Sequence, residues 1–416
     1  MIPAKYKKWV VCVFLLLATT LLYLDRQALA LLAPLIKQEL RLNNADFGTV
    51  LAVFYYAYTI AQFLIGLLLD RANLRWAYGA GVLLWSGAVF LTGTSSGLAG
   101  LLAFRTLLGF AESVNWPGAM RIVARTLPAE ERALGNGIFT SGTSIGALIA
   151  PVLIVGIASQ YGWRASFHAV AAAGAAWFAG WLILTRGEAM KHTWRAAPAE
   201  AAARVPALRS YGEIFRTARF WRVFAVTVLV NPCLYFNLNW IPTYFDQHRG
   251  LPPSGQRWIL TLIYLGLDLG YLFCGSAVLW LTRRGTPLPA ARRNVFLLAS
   301  LCLGAAGVVP LISGLHAAVA VLVAVNFGAG VWIAMYLTMA QEVSHAYVST
   351  AAGLLGGSGS LAGAFLMRLV GVVTHETNSF ALPMLGVTVA AVLAAAAGLA
   401  VVRNMRAAAP AQVLDC

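Results

Sequence analysis

The chain has 416 residues, of which 60% are hydrophobic and 11% are charged, and its formal net charge is +15. Charged residues make up about 25% of an average soluble domain, so this composition excludes an ordinary soluble protein. Apolar runs long enough to cross a bilayer, about 17–25 residues each, recur along the whole chain. The composition therefore predicts an integral membrane protein.

Twelve apolar runs are predicted to span the membrane. They cover residues 9–34, 47–69, 76–93, 98–123, 134–158, 166–185, 220–245, 258–282, 295–313, 317–340, 350–373 and 380–402. Most of the 30 Lys and Arg residues fall on the side of the membrane that would also hold both chain termini. By the positive-inside rule, this bias places both termini in the cytoplasm. The positive charge thus reflects topology, and we expect no nucleic-acid partner.

The longest polar segment covers residues 186–219, between the sixth and the seventh predicted span. It divides the chain into an N-terminal six-helix half, residues 1–185, and a C-terminal six-helix half with a short cytoplasmic tail, residues 220–416. Many transporter folds are built from two repeated halves, with the substrate site near the bilayer midplane. We therefore expect a cytoplasmic linker at 186–219 and two pseudo-symmetric halves around a central cavity.

Several charged residues lie inside the predicted spans, among them Asp25, Arg26, Arg105, Glu112 and Asp268. A charge at the bilayer centre costs about 2.5–3.5 kcal/mol on insertion scales, so such residues usually have a function. Arg105 and Glu112 are two helical turns apart and share a helix face. Arginine binds carboxylates through paired hydrogen bonds and stays charged when buried. The set predicts a carboxylate-binding site beside protonatable groups, although Arg105 could also form a structural pair with Glu112 or Asp25.

The second predicted span carries Tyr55, Tyr58 and Gln62 at intervals of three and four residues, which places the three side chains on one helix face. Two roles remain open for the tyrosines. They can contact the substrate, or they can pack between helices, as aromatic side chains often do. We retain Tyr55 and Tyr58 as candidate substrate-binding residues.

The second half offers a similar stripe on the seventh span, formed by Asn231, Tyr235 and Asn239 at intervals of four residues. Tyr235 and Asn239 are candidates for hydrogen bonds to substrate hydroxyl groups. On the eighth span, Asp268 has three open roles. It can be a further proton-coupling group, a hydroxyl acceptor or a structural partner.

The segment after the second span contains Gly66, Asp70, Arg71 and Arg75 in the spacing Gly-x-x-x-Asp-Arg-x-x-x-Arg. This pattern resembles the signature of the major facilitator superfamily. Asp70 is placed to cap or pair at a helix end, while the arginines hold the cytoplasmic side. We interpret the segment as a gating and topology element rather than as a substrate contact.

Four further segments resemble one branch of that superfamily, the anion:cation symporters, which include bacterial hexuronate and galactonate proton symporters. These segments are Tyr-Leu-Asp-Arg at 23–26, Ala-Tyr-Thr-Ile-Ala-Gln at 57–62, Arg-Thr-Leu-Leu-Gly-Phe-Ala-Glu at 105–112 and Asn-Trp-Ile-Pro-Thr-Tyr at 239–244. The resemblance covers nearly the whole chain and is clearest in the first half.

The resemblance implies roles for the buried charges. In this branch, residues that match Arg26, Tyr58 and Arg105 contact the anionic sugar, and residues that match Asp25 and Glu112 carry protons. The eleventh span departs from the branch, because Ser360 stands near a position where sugar-acid relatives often have Asn. We therefore include Ser360 among the candidate substrate-binding residues and expect different contacts to the sugar hydroxyl groups.

Together these features predict an all-α membrane protein with twelve transmembrane helices, located in a bacterial cytoplasmic membrane and acting as a monomer. We expect proton-coupled uptake of a small organic anion, such as a hexuronate or an aldonate, by alternating access. An organophosphate or inorganic-anion exchanger and a proton-driven drug exporter are the alternatives; buried arginines disfavour a cationic drug because they would repel it. No motif indicates an enzyme, a cofactor or a metal site.

Overall fold

The computed structural model describes residues 4–42, 44–186, 194, 207–251, 257–344, 346–377 and 379–407. Within these ranges the chain is almost entirely helical and contains no β-strand. Helices suit a chain of this composition, because a helix satisfies its own backbone hydrogen bonds where no water is available.

Eight helices precede the linker. They are α1 (Ala4–Leu31), α2 (Ala33–Leu40), α3 (Asn44–Arg71), α4 (Leu74–Gly93), α5 (Leu98–Glu112), α6 (Asn115–Thr126), α7 (Arg132–Tyr161) and α8 (Trp163–Leu184). The described α-helices from residue 207 onwards are α9 (Ala207–Arg216), α10 (Ala218–Gln247), α11 (Arg257–Arg283), α12 (Leu288–Gly304), α13 (Leu315–Gln341), α14 (Val348–Thr377) and α15 (Ala381–Ala407).

Every predicted span coincides with helix. In the described part of the chain, nine helical segments are long and apolar enough to cross a membrane. The three other predicted spans correspond to α5 with α6, to α10 and to α14. The first of these is interrupted, and the other two include residues whose side chains lie outside the described part.

The fourth span is not one continuous helix, because it is broken at Ser113 and Val114. Pro117 explains the break: it has no backbone N–H to donate to the carbonyl of Ser113. Side chains hold the broken segment in place. Asn115 accepts a hydrogen bond from the Tyr78 hydroxyl at 2.7 Å and donates one to Thr19 Oγ1 at 3.3 Å.

Two shorter helices of the described chain lie largely outside the predicted spans, and a third short element lies within the ninth span. Helix α2 follows the first span, and α9 lies inside the predicted linker. The ninth span changes from α12 to a 3₁₀ helix at Ala305–Leu311, which contains Pro310. Proline disfavours α-helical hydrogen bonding in an element interior, and short 3₁₀ segments are common at helix ends.

The chain forms two compact units, each composed of several segments. The first unit contains residues 1–127, 138–212 and 344–357. Within it, α3 packs along α5, and α4 packs along α8.

The second unit contains residues 128–137, 213–343 and 358–416. Within it, α11 and α12 pack on α13, while α10 and α12 pack on α15. Residues 344–357 thus belong to the first unit although they follow the predicted linker, and residues 128–137 belong to the second although they precede it.

Candidate functional site

Four charged side chains meet inside the first unit, where α1 carries Asp25 and Arg26 and α5 carries Arg105 and Glu112. They form two crossed ion pairs. Arg26 donates from Nε to Glu112 Oε2 at 2.8 Å, and its Nη2 lies 2.7 Å from the same oxygen. Arg105 Nη1 lies 3.5 Å from Asp25 Oδ1. We call these four residues the charge cluster.

The charge cluster is buried but not saturated with hydrogen bonds. The side chains of Asp25, Arg105 and Glu112 are at most 3% exposed. Within the described residues, no N–H or O–H donor reaches either carboxylate oxygen of Asp25, and neither Nε nor Nη1 of Arg105 donates a hydrogen bond. Buried polar atoms are normally hydrogen-bonded, so these atoms have capacity for a proton or a ligand.

The two carboxyl groups of the charge cluster also approach each other. Asp25 and Glu112 are close enough to become hydrogen-bond partners when one of them carries a proton. Two carboxylates at this separation repel each other, while the neighbouring guanidinium groups attract both. The cluster can therefore take up one proton while one of its two ion pairs remains.

The tyrosines of α3 lie beside this cluster but differ in exposure. Tyr58 is 6% exposed, accepts a hydrogen bond from Gln62 Nε2 at 2.8 Å and lies under the Arg26 guanidinium at 4.9 Å. Tyr55 is 56% exposed and meets Phe54 edge-on. The structure thus brings Tyr58 into the cluster more closely than Tyr55.

Phe54 was not predicted from the sequence. Its ring lies 5.0 Å from the guanidinium carbon of Arg26 and 4.6 Å from that of Arg105. The available signal was its position one helical turn before Tyr58, on the same face. An apolar residue in an apolar run gives no chemical hint beyond that spacing.

In the second unit, two predicted substrate-binding residues lie together: the Tyr235 hydroxyl is 3.4 Å from Ser360 Oγ. The Tyr336 hydroxyl lies near the Asn231 side chain, so Tyr336 is a further polar group that sequence reasoning missed. Asp268 is half-buried on α11. The side chain of Asn239 lies outside the described part of the structure.

The signature segment holds a further buried ion pair of the first unit. Asp70 Oδ1 accepts from the Ser349 N–H at 2.9 Å, and Oδ2 accepts from the N–H and the hydroxyl of Thr350 at 2.7 and 2.6 Å. Arg121 completes the site at 3.0 Å. A carboxylate is favoured here because the first turn of α14 leaves backbone N–H groups without helical acceptors.

The other residues of the signature differ in their surroundings. Gly66 allows α3 to approach α14 closely, because a Cβ there would clash with the Ser349 carbonyl. Arg71 is exposed, whereas Arg75 donates to the Leu182 carbonyl at 3.1 Å. None of these residues is part of the charge cluster.

The second unit has an ion cluster of its own around Glu342, at the end of α13. Arg219 Nη2 lies 2.5 Å from Glu342 Oε2, and Arg292 Nη1 lies 2.8 Å from Oε1. The Arg292 side chain is 1% exposed, so this glutamate neutralises a buried cation.

The sequence profile described as the Major Facilitator Superfamily matches residues 15–367. The chain belongs to the major facilitator superfamily. Among solved structures, the Escherichia coli fucose:proton symporter aligns with a TM-score of 0.66 at 12% identity, covering 96% of this chain and 99% of that one. The predicted fold class, an all-α major facilitator fold, is therefore confirmed.

This facilitator also has relatives over most of its length. It is 27% identical over 380 residues to the hexuronate transporter of Escherichia coli (strain K12), covering 88% of this chain and 87% of the relative. It is 28% identical over 419 residues to the hexuronate transporter of Bacillus subtilis (strain 168), with 95% and 94% covered. For the D-galactonate transporter of Escherichia coli O6:H1, the values are 26% over 316 residues, with 71% and 74% covered. The chain is an integral membrane transporter and not an enzyme.

Proposed function

We propose that this facilitator takes up a small sugar acid, such as a hexuronate or an aldonate, together with protons. The single observation that carries the proposal is the charge cluster: two guanidinium groups and two carboxyl groups buried together in the first unit. Relatives named hexuronate and D-galactonate transporters support the choice of substrate class.

Charge balance supports the coupling to protons. With Asp25 and Glu112 ionised, the two positive and two negative charges of the cluster cancel. A substrate carboxylate would leave one uncompensated negative charge in a buried site, which is unfavourable. Protonation of one cluster carboxylate restores neutrality. Substrate binding and proton uptake therefore favour each other.

The side chains of the proposed substrate site have different roles. Arg105, whose Nε and Nη1 donate no hydrogen bond among the described residues, binds the substrate carboxylate, and Arg26 assists once Glu112 is protonated. Tyr58 and Tyr55 in the first unit, with Tyr235, Ser360 and Asn239 in the second, contact the sugar hydroxyl groups.

The remaining assignments concern proton coupling, gating and topology. Asp25 and Glu112 carry protons, with Asp268 as a further candidate. The halves 1–185 and 220–416 alternate access to the substrate, and the signature at Gly66, Asp70, Arg71 and Arg75 acts as a gate. In this proposal, the protein is a monomer in the bacterial cytoplasmic membrane, and both termini are in the cytoplasm.

The test is uptake into liposomes that contain the purified protein, with the outside made acidic. The panel is glucuronate, galacturonate, galactonate, lactate and glycerol phosphate. We expect one sugar acid to accumulate against its gradient, and Arg105→Ala to abolish its binding. Arg216→Ala is the matched control, because Arg216 is an exposed arginine on α9.

Two results would contradict the proposal. Uptake of only the phosphate ester, unaffected by pH, would identify an exchanger and leave the carboxylates structural. Unchanged substrate binding in Arg105→Ala would show that the charge cluster is not the substrate site.

A further inference from the structure

Phe54 is the one described aromatic residue whose ring contacts both guanidinium groups of the charge cluster, at 5.0 Å for Arg26 and 4.6 Å for Arg105. The residue is 1% exposed. Both distances are within the range of cation–π attraction, about 6 Å from the ring centroid. The same uncharged side chain thus attracts both cations of the cluster.

Two aromatic neighbours pack against this ring, and a close helix contact restrains its backbone. It stacks on Tyr58 with centroids 5.9 Å apart, and Tyr55 meets it edge-on at 5.2 Å. Gly109 brings α5 against the backbone of α3, because a Cβ at Gly109 would lie 2.5 Å from the Phe54 carbonyl oxygen. A buried ring held in this way has little freedom to move away from the guanidinium groups.

Protonation changes the ion pairs of the cluster but not the ring. A carboxylate that takes up a proton loses its charge and therefore most of its attraction for a guanidinium group. The attraction of a ring face for a cation does not depend on pH, and in a desolvated site it amounts to about 2 kcal/mol. The ring therefore continues to attract both arginines after one of the two carboxylates has been neutralised.

We propose that Phe54 is a positioning residue that keeps the guanidinium groups of Arg26 and Arg105 at the substrate site after Asp25 or Glu112 takes up a proton. This inference rests on the proposed function, because it presupposes protonation of the cluster during transport. It adds a role for an uncharged residue in keeping the substrate-binding geometry intact in the protonated state.

The groups that face the two arginines are known from the structure. They are Tyr23, Tyr55, Tyr58 and Glu112 around Arg26, and Asp25, Arg26, Glu112 and Tyr55 around Arg105. Phenols ordinarily lose their proton near pH 10 and guanidinium groups above pH 12. Among these groups, Asp25 and Glu112 are the ones to which the proposed function assigns the proton.

The test measures the substrate concentration that gives half-maximal exchange across the liposome membrane. The pH is equal on both sides, and the measurement is made at about pH 5.5 and at about pH 8. Phe54→Leu keeps an apolar side chain but removes the ring. We expect Phe54→Leu to raise this concentration about 10- to 30-fold at the acidic pH, which corresponds to about 1.4–2 kcal/mol. At the alkaline pH, we expect an increase of less than about threefold. Phe54→Tyr keeps the ring and should stay near the wild-type values at both.

Controls separate this role from simple packing. Phe110→Leu makes the same exchange at a 44% exposed position of α5 and should change neither value. If Phe54→Leu does not fold, Phe54→Met replaces it, with the same expectation. Equal weakening at both pH values, or no weakening, would overturn the inference while wild-type transport continued. Absence of sugar-acid transport by the wild type would instead overturn the proposed function.

Discussion

Among its described residues, the first unit contains two buried Asp–Arg pairs that differ in how many hydrogen bonds the carboxylate accepts. Asp70 accepts three hydrogen bonds from Ser349 and Thr350 and pairs with Arg121 at 3.0 Å. Asp25 is equally buried, but Arg105 lies 3.5 Å away and no donor among the described residues reaches either carboxylate oxygen.

This difference separates structural from functional burial of charge. A saturated carboxylate has no acceptor site left for a ligand, and its protonation would break several hydrogen bonds at once. An unsaturated carboxylate loses little on protonation. Asp70 is therefore expected to contribute mainly to stability, and Asp25 mainly to transport.

The largest expected effect follows from removing the charge of Asp25. Asp25→Asn should abolish acid-driven accumulation of substrate, because the variant cannot exchange a proton at this position. Its unfolding free energy should change less than that of Asp70→Asn, because fewer hydrogen bonds are lost. Accumulation in liposomes and chemical denaturation in detergent measure the two quantities. Acid-driven accumulation by Asp25→Asn would remove this residue from the coupling mechanism.

The reciprocal variant tests the saturated pair. Asp70→Asn should lower the unfolding free energy by about 3 kcal/mol, since it leaves Arg121 buried without its counter-charge and replaces an acceptor oxygen by a donor. Denaturation in detergent measures the loss. Glu130→Gln makes the same chemical change at an exposed residue and should be nearly neutral. Comparable stability of Asp70→Asn and Glu130→Gln would remove the contrast between the pairs.

A smaller effect is expected when the packing beside the charge cluster is disturbed. The new Cβ of Gly109→Ala would meet the Phe54 carbonyl oxygen at 2.5 Å, so we expect a loss of about 1–3 kcal/mol in stability. Gly87→Ala is the matched control, because nothing lies within 4 Å of the added Cβ; helix propensity predicts a gain of up to about 1 kcal/mol there. Thermal unfolding of both variants measures the two changes in stability. Equal stability of the two variants would contradict the close contact at Gly109.

The smallest effect is expected at an exposed pair outside the spans. Glu39 accepts from Trp163 Nε1 at 2.5 Å and pairs with Arg164, and these contacts lower the pKa of Glu39. The lowered pKa means that the stabilisation is present above the unfolded pKa, about 4.3, and is lost as the pH falls through the folded value.

Thermal unfolding of Glu39→Gln as a function of pH measures this contribution. The variant should be slightly less stable than the wild type at neutral pH, and the difference should vanish in acid. The stability lost at this exposed pair can then be compared with the stability lost at the two buried pairs. A difference that grew in acid would contradict the assignment of the contact.

The sequence was sufficient for the family, the fold class and the residues of the charge cluster. Charged residues in apolar runs are conspicuous, and the signature around Asp70 is specific. The ion-pair partners within the charge cluster were not predictable from the sequence. Sequence reasoning left Arg105 with either Glu112 or Asp25, and the choice of Asp25 depends on how α1 and α5 are rotated against each other.

Other features escaped prediction for identifiable reasons. The break in the fourth span depends on Pro117, which stands in an otherwise apolar run. The partners of Asp70 lie about 280 positions further along the chain, a separation that local spacing does not reveal. Phe54 has no polar group, so its role depends entirely on which cations lie over its ring.

The composition of the charge cluster has a consequence for electrical behaviour. When Asp25 and Glu112 are ionised, the cluster has no net charge to carry through the membrane field. The return of the empty transporter should then be independent of voltage. Each proton in excess of the substrate charge would add one positive charge, and a potential of 100 mV acts on it with about 2.3 kcal/mol. Current recorded during uptake would therefore count the protons that the substrate does not balance.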